Sequence, residues 1–421
     1  MTALPLLSDH PRLRAAASTA DRITTALAAP PEPDYPADDY GPASIRWHAQ
    51  SLSKGAAGVA VLHGVRAQTG HGDWEPVRAW LGRATADDLA NSGGAGLWYG
   101  APAVAHALAT AAPGARPNAL AILDRAVADL TGRRLAAAEA RLAARARPPL
   151  AEFDLVRGLT GLGAHLLRRD PDGALVRRVL AYLVRLTEPV DADDAAGRLA
   201  PGWWTAEPPD RPALMAGGHA NLGMAHGIGG PLALLALAHR DGVTVAGHTE
   251  AIGRICATLD GWRQIGPAGP WWPERIPLPD LLAGAPAAEG PARPSWCYGT
   301  PGLARAQQLA GIALRDPARQ QAAEDALTRC LADPAQLDRI TDPAVCHGWA
   351  GLAATVWYAA NDARSSALAA HLPRVLNLLL RHAADPMPGT GLIEGSAGVA
   401  LVLHMFATGT AVRWATSLLI D

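Results

Sequence analysis

One short motif occurs seven times along the 421-residue chain: a glycine, two further residues, and a second glycine or an alanine at the start of an apolar run. The first glycines of the copies are Gly55, Gly100, Gly158, Gly227, Gly299, Gly348 and Gly395. Successive copies are 45 to 72 residues apart, which indicates a repeat architecture. The chain contains 43 glycines, but a random distribution of them would not produce seven such pairs along the whole chain, each ahead of an apolar stretch.

Each motif is followed by a stretch with the composition of a buried helix, and several of these are followed by an amphipathic stretch. The predicted motif helices include Val59–Gln68, Leu162–Arg169, Leu303–Leu314 and Val399–Met405. The predicted second helices include Leu175–Thr187, Gln320–Leu331 and Ser366–Ala383. In the second set, apolar residues recur at the i, i+3, i+4 spacing of one helix face. One repeat is therefore predicted to be a helical hairpin.

Seven hairpins can form an open solenoid or close into a ring. Neither end of the array shows a polar capping repeat, so the sequence favours closure. The predicted fold is all-α: an α/α toroid, or double barrel, of seven helical hairpins whose motif helices form the inner barrel. Residues 1–45 are predicted to be an N-terminal segment, a helix followed by a Pro-rich linker, and residues 46–421 a single toroid domain. The segments that interrupt the pattern are rich in Pro and Gly: Ala28–Ala43, Glu188–Leu222 and Ile265–Pro294.

The net charge, the lengths of the apolar runs and the number of cysteines argue against several classes of protein. A formal net charge of −2 argues against a nucleic-acid-binding groove. No apolar run reaches the roughly 18 residues needed to cross a bilayer, and the N-terminus lacks the pattern of a signal peptide. Four cysteines in a chain of this length do not describe a disulfide framework. Reduced thiols or metal ligands in a cytoplasmic protein are expected instead.

The residue before the first glycine is expected to project toward the ring axis in every repeat. These residues are Lys54, Tyr99, Arg157, His226, Tyr298, His347 and Glu394. One residue earlier, only repeats five and six carry cysteine, at Cys297 and Cys346. Neighbouring inner helices pack roughly 8–10 Å apart, so these two thiols can converge on one ion together with His347. Two cysteines and one histidine leave a coordination position open, which is typical of a catalytic Zn²⁺ site with one ion per chain.

The other cysteines and several histidines are expected to be structural. Cys256 and Cys330 lie in second-helix stretches, where a free cysteine behaves as a small buried hydrophobe. His63, His106 and His165 lie on predicted helix faces away from the motif position and are not expected to take part in chemistry.

Three strings of the sequence resemble the lanthionine synthetase C-like family: Ala225–Gly230, Trp296–Gly302 and Cys346–Gly351. The resemblance extends across all seven repeats. It implies an α/α toroid with zinc at the ring centre, and an enzyme that adds peptide cysteines to dehydroalanine or dehydrobutyrine to form lanthionine and methyllanthionine thioether rings. The stand-alone length is similar to that of the cyclase in class I lanthipeptide pathways. Some members carry an added β-rich subdomain, but Arg116–Arg147 is predicted here to be helical.

The resemblance also implies a role for each site residue. The zinc ligands would be Cys297, Cys346 and His347, the acid/base residue His226, and the other active-site residues Asp154, Arg293 and Tyr298. These residue types suit proton transfer, orientation of the histidine and binding of a carbonyl or enolate oxygen. Asp154 has the alternative role of a helix N-cap, and Arg293 that of a surface-loop side chain. The chain departs from the family pattern at Ala103, in place of a second glycine, and at Pro294.

The implied partners are a dehydrated precursor peptide with a leader and a separate dehydratase, with an exporter as a further prediction and no nucleic acid. Two alternatives stay open: a family member that adds glutathione to dehydrated proteins, and a non-catalytic, zinc-stabilised scaffold of a biosynthetic complex. A zinc-dependent prenyltransferase would need an aromatic-rich funnel, which two Phe and six Tyr do not supply. A toroidal glycosidase would need paired carboxylates, but Asp154 and Glu394 belong to well-separated repeats.

Closure of the ring makes one further prediction that does not depend on the family. Repeat seven must pack beside repeat one, which would place Glu394 next to Lys54 at matching positions. Their carboxylate and ammonium groups should then lie within about 4 Å of each other.

Overall fold

The computed structural model describes residues 10–31, 49–191, 199–206, 217–385, 387, 389–410 and 412–421. Within these residues the protein is predominantly helical. In chain order its helices are α1 (His10–Ala26), α2 (Ala56–Gln68), α3 (Trp74–Ala84), α4 (Ala101–Ala111), α5 (Pro117–Ala143), α6 (Leu150–Phe153), α7 (Leu159–Arg169), α8 (Ala174–Leu186), α9 (Gly229–Arg240), α10 (His248–Gly261), α11 (Leu278–Ala283), α12 (Thr300–Ala313), α13 (Pro317–Ala332), α14 (Pro334–Leu337), α15 (Trp349–Asp362), α16 (Ala367–His382) and α17 (Ser396–Thr408).

Seven of these helices form a closed inner barrel. In order around the ring they are α2, α4, α7, α9, α12, α15 and α17, and each contacts the next, with α17 returning to α2. The outer barrel is formed by α3, α5, α8, α10, α13, α16 and α1, each packed against its inner partner. The predicted α/α toroid of seven hairpins is therefore confirmed.

The seventh hairpin takes its outer helix from the other end of the chain. Helix α1 packs against α17 and α16, so an N-terminal helix completes the outer barrel. Its buried face presents Ala16, Ala20 and Ile23 to the core. The predicted domain boundary between residues 45 and 46 lies in residues 32–48, outside the described part of the chain.

Six of the seven inner helices begin directly after the first glycine of the motif, and α9 begins two residues after Gly227. The helices predicted to start at Val59, Leu162, Leu303 and Val399 start three residues earlier. The second glycine therefore lies inside the first helical turn. A Cβ atom at Gly302 or Gly351 would come within 3 Å of the carbonyl oxygen of Trp296 or Val345, six residues earlier. Such an approach is closed to residues with a side chain, so in these repeats the second glycine lets the preceding loop fold back over the start of the helix.

Backbone hydrogen bonds join these loops around the ring. Met224 N–H donates to Cys297 O at 2.9 Å, Cys297 N–H to Cys346 O at 3.2 Å, and Cys346 N–H to Ile393 O at 3.0 Å. Ile393 N–H then donates to Ser53 O at 3.1 Å, which carries the same pattern across the junction of the last and first repeats. These bonds hold equivalent residues of neighbouring repeats at the same height.

The connections before repeats four and five contain short strands. In chain order these are β1 (Val190–Asp191), β2 (Leu199–Ala200), β3 (His219–Asn221), β4 (Gln264–Gly266), β5 (Gly269–Trp271) and β6 (Arg275–Pro277). They form the antiparallel pairs β1–β2, β3–β6 and β4–β5. In the β3–β6 pair, Asn221 lies opposite Arg275. Strand β3 leads within five residues to His226, so this pair is attached directly to a motif loop.

The C-terminal segment supports the motif loops from inside the barrel. The indole N–H of Trp296 donates to the carbonyl oxygen of Leu418 at 3.0 Å, and the buried Arg305 Nε donates to that of Ile420 at 3.0 Å. Leu418 and Ile420 are fully buried. Trp296 precedes Cys297, so the end of the chain holds one cysteine loop in place.

The longest described helix, α5, spans 27 residues and confirms that Arg116–Arg147 is largely helical. No helix in the described part of the chain combines the length and the apolar character required to cross a membrane.

Candidate metal centre

The three predicted zinc ligands lie together at one end of the inner barrel. One ligand atom each from Cys297, Cys346 and His347 fall within 4.8 Å of one another. Cys297 comes from the loop before α12, and Cys346 and His347 from the loop before α15. The backbone hydrogen bond from Cys297 to Cys346 sets the two loops at equal height. The two cysteines, which occupy the same position of the motif, therefore lie side by side. Binding of zinc at this cluster stays a prediction.

The electrostatics of the cluster favour a cation. A hydrogen bond from the Cys346 thiol lowers the pKa of Cys297 well below its ordinary value, and His347 adds to the effect. The thiolate of Cys297 in turn raises the pKas of Cys346 and His347. A divalent cation would remove the repulsion that keeps the second thiol protonated. Two thiols and an imidazole in mutual contact are also the donor set that zinc prefers, so the residues fit the metal.

A carboxylate that the sequence analysis did not identify lies beside His347. Asp342 Oδ2 is 3.6 Å from His347 Nε2, and Asp342 Oδ1 accepts the backbone N–H of Ala344 at 2.8 Å. Metal-binding histidines commonly have such a carboxylate as an orienting partner. The only signal for Asp342 in the sequence is its position five residues before His347.

His226 and Asp154 form a hydrogen-bonded pair in the neighbouring repeats. His226 Nδ1 lies 2.7 Å from Asp154 Oδ2, and the aspartate side chain is fully buried. Asp154 Oδ1 accepts the backbone N–H groups of Arg157 at 2.6 Å and Gly158 at 2.8 Å. The N-cap of α7 is Gly158, which has no side-chain partner, so the N-cap interpretation of Asp154 is wrong. One oxygen of Asp154 instead closes the turn before α7, and the other contacts the His226 ring. With Nδ1 engaged, Nε2 of the one-third-exposed ring is the nitrogen available to a reactant.

Tyr298 directly follows Cys297 and is held by residues that the sequence analysis missed. Asn221 Nδ2 donates to the Tyr298 hydroxyl at 2.9 Å, and the guanidinium carbon of Arg275 lies 5.2 Å from the centre of the tyrosine ring. Burial raises the pKa of Tyr298, so the hydroxyl keeps its proton. No pattern in the sequence links Asn221 to Arg275, because their pairing joins residues 54 positions apart.

Arg293 faces the metal-ligand side of the site. Its charge opposes the rise in pKa that Cys297 causes at Cys346 and His347, which places the guanidinium near both side chains. The side chain is half-buried. Its role in catalysis stays a prediction.

The residues predicted to be structural lie away from this cluster. Cys256 and Cys330 are buried in outer helices, where burial raises their pKas to about 11 and about 12. His63, His106 and His165 are also buried, and burial lowers the pKa of each ring. All four cysteines of the chain are free of disulfide bonds.

The predicted ion pair at the closing seam is present. Lys54 Nζ lies 2.8 Å from Glu394 Oε2, and the two side chains are 53% and 38% exposed. The register of the seven repeats is therefore as the sequence predicted.

Comparison with known proteins agrees with this geometry. The lanthionine synthetase C-like protein family matches residues 46–419. The nisin biosynthesis protein NisC of Lactococcus lactis subsp. lactis is 23% identical over 265 residues, which are 62% of this chain and 61% of NisC. The solved structure of nisin cyclase superposes with a TM-score of 0.70 at 18% identity, covering 96% of this chain and 97% of that one, and so shares its fold. The match to the family covers most of the chain, and the protein belongs to the lanthionine synthetase C-like family.

Proposed function

We propose that the protein is a zinc-dependent lanthipeptide cyclase. It would add cysteine thiols of a dehydrated peptide to dehydroalanine or dehydrobutyrine and so form lanthionine and methyllanthionine rings. One observation carries the proposal: the Cys297–Cys346–His347 cluster and the His226–Asp154 pair lie in consecutive repeats of one ring, within a family of lanthionine synthetase-like proteins.

The reaction needs a thiolate, a fixed geometry and a proton, and it consumes no oxidant. The peptide sulfur forms a bond to the β-carbon, the electrons of the C=C bond move toward the carbonyl, and the α-carbon then takes a proton. Zinc bound by the two cysteines and the histidine would supply the acidity that makes the peptide thiol a thiolate near neutral pH, where a free thiol has a pKa of about 8.5.

The remaining steps belong to the side chains of the chain itself. His226 Nε2 would remove the thiol proton or deliver a proton to the α-carbon, and histidine is suited to both near neutral pH. Asp154 holds the ring by Nδ1 and so fixes the tautomer. Tyr298 and Arg293 would bind the carbonyl oxygen on which negative charge develops.

The proposed reaction requires a partner, because its substrate must already be dehydrated. A dehydratase and a precursor peptide with a leader are therefore proposed partners, in keeping with the names of NisC and nisin cyclase. The predicted exporter and the predicted cytoplasmic location stay predictions.

The direct test supplies the purified protein with a dehydrated precursor that contains cysteine, and counts the thiols that remain open to alkylation by mass spectrometry. Ring closure changes no mass, so loss of alkylation is the signal. We expect thiols to disappear much faster with the protein than without it. Transfer of added glutathione without ring closure would identify the glutathione-adding alternative. An unchanged rate in both assays would leave a zinc-stabilised scaffold.

A further inference from the structure

A second arginine, Arg275, lies outside the seven motif loops and against the ring of Tyr298. We infer that Arg275 holds the carbonyl oxygen of the dehydroamino acid as it becomes an enolate, beside a Tyr298 hydroxyl that Asn221 positions. The paired strands β3 and β6 bring Asn221 and Arg275 to Tyr298, next to the loops that carry His226 and Cys297. The inference rests on the proposed cyclase function and names the group that stabilises its transition state.

The hydrogen bonds of Asn221 fix the orientation of its amide. Oδ1 accepts the backbone N–H of Gly223 at 3.0 Å, so this atom must be the oxygen. The amide nitrogen therefore donates to the Tyr298 hydroxyl at 2.9 Å. Because the hydroxyl oxygen accepts this bond, the tyrosine keeps its own proton for another acceptor. Asn221 is fully buried, so the arrangement is rigid.

Tyr298 is held at its ring as well as at its hydroxyl. A Cβ atom at Gly223 would come within 3 Å of two ring carbons, so the missing side chain at that position lets the backbone approach the ring closely. Gly223 and Asn221 belong to the same short segment that leads to His226. The acid/base histidine and the tyrosine are therefore fixed by one piece of chain.

Arg275 offers donors that the protein does not use. Within the described residues its ion pair is to Glu274, at 3.7 Å and partly exposed, and its buried Nε has no hydrogen-bond partner. The guanidinium lies against the Tyr298 ring and is about one-quarter exposed. Burial, together with the charge of Arg275, lowers the pKa of the buried His219 to about 4, so that neighbour is neutral. Arg275 is thus a partly exposed cation that contacts Tyr298 and Glu274 and whose Nε–H has no partner among the described residues.

The chemistry requires such a cation at that place. When the thiolate forms its bond to the β-carbon, the carbonyl oxygen gains the negative charge, and protonation of the α-carbon then returns the electrons to the carbonyl. A preorganised N–H donor at the oxygen lowers the barrier because the charge is larger in the transition state than in the substrate. The charge of Arg293 acts on Cys346 and His347, so Arg275 would be a second cation in addition to the donors already proposed for this oxygen.

The test compares ring closure by Arg275→Gln and Arg275→Lys with the wild type and with Arg263→Gln, which removes an exposed arginine just before β4. We expect Arg275→Gln to lower kcat by about 10²–10³-fold, the usual loss for one oxyanion donor. Zinc content, melting temperature and the dissociation constant of the dehydrated precursor should not change. Arg275→Lys should recover part of the rate, and Arg263→Gln should match the wild type.

A second variant tests the positioning by Asn221. Asn221→Asp keeps the acceptor for Gly223 but turns the donor into an acceptor, which would accept a hydrogen bond from the Tyr298 hydroxyl and so occupy the O–H group that the enolate needs. The rate should fall by about tenfold, the equivalent of one hydrogen bond. In a Tyr298→Phe background the same change should have no further effect, which a general loss of structure would not reproduce.

The outcomes separate this inference from the proposed function. If the wild type closes no rings, the cyclase proposal fails before Arg275 is considered. If the wild type is active and Arg275→Gln is as fast as Arg263→Gln, the role of Arg275 is overturned. A raised dissociation constant with unchanged kcat would also overturn it, because Arg275 would then bind peptide rather than stabilise the enolate.

Discussion

Two regions of the ring use the same backbone for different purposes. The zinc arc consists of the loops before α7, α9, α12 and α15, and the seam consists of the loops before α17 and α2. In one loop of each region, the side chain four positions before the first glycine closes the loop: Ser51 accepts from Lys54 N–H at 3.3 Å, and Asp154 accepts from Arg157 N–H at 2.6 Å. The serine has one side-chain oxygen and only closes its loop, whereas the aspartate has a second oxygen and also orients His226.

The same contrast holds two residues before the glycine. The zinc arc has Cys297 and Cys346 at this position, and the seam has Ile393 and Ser53. Backbone hydrogen bonds set all four residues at one height around the ring. The scaffold therefore places side chains at fixed points, and the chemistry depends only on which side chains stand there. The predictions below test this separation of scaffold from chemistry.

The largest effect is expected where a ligand is removed. Loss of a residue that only hydrogen-bonds a metal ligand typically weakens metal binding by about 10–100-fold. Cys297→Ala or Cys346→Ala removes a ligand itself and should weaken zinc binding by more than that. Both should also abolish ring closure while the ring stays folded. Cys330→Ala, which removes a buried thiol from α13, should keep about one zinc per chain. Metal analysis of the purified variants checks this, and equal zinc content in all three would remove the site assignment.

A smaller effect is expected when the zinc arc is given the seam's loop-closing residue. Asp154→Ser should still accept the N–H groups of Arg157 and Gly158, so the free energy of unfolding should change by less than about 2 kcal/mol. His226 would lose its partner, and ring closure should slow by about 10²–10⁴-fold, the usual range for general acid–base assistance. Zinc content should stay at the wild-type level.

The matched control for this exchange is His226→Asn, which should lose rate over the same range and retain zinc. Loss of the metal in His226→Asn would make this histidine a ligand instead. Unfolding of Asp154→Ser in the same assay would show that closing the loop and catalysis cannot be separated at this position.

The smallest effect is expected at the seam. The Lys54–Glu394 pair is more than one-third exposed on both sides, so Lys54→Met should reduce the free energy of unfolding by only about 0–1 kcal/mol. The hydrogen bond to Glu394 raises the pKa of Lys54 in the folded protein. The contribution is therefore complete below the unfolded pKa of about 10.4 and is lost as the pH rises through the folded value. Denaturation of both proteins at neutral pH and above about pH 11 checks the sign, and a difference that grows with pH would contradict it.

The sequence predicted those features of the fold and of the site that follow from the seven-fold repeat. The seven motifs located the inner helices, and matching positions brought Cys297 to Cys346 and Lys54 to Glu394. Two features had no repeat to reveal them. Helix α1 completes the seventh hairpin from the opposite end of the chain, and a contact of that sequence separation leaves no local pattern. Asn221 and Arg275 meet through a strand pair too short to show alternation.

Titration of zinc into metal-free protein tests the central claim most directly. The rate of ring closure on a dehydrated, cysteine-containing precursor is followed by loss of alkylatable thiols. The account predicts a rate that rises with zinc and reaches its maximum at about one equivalent per chain, with no response in Cys346→Ala. Full activity in the metal-free protein, or a zinc response that survives in Cys346→Ala, would contradict it.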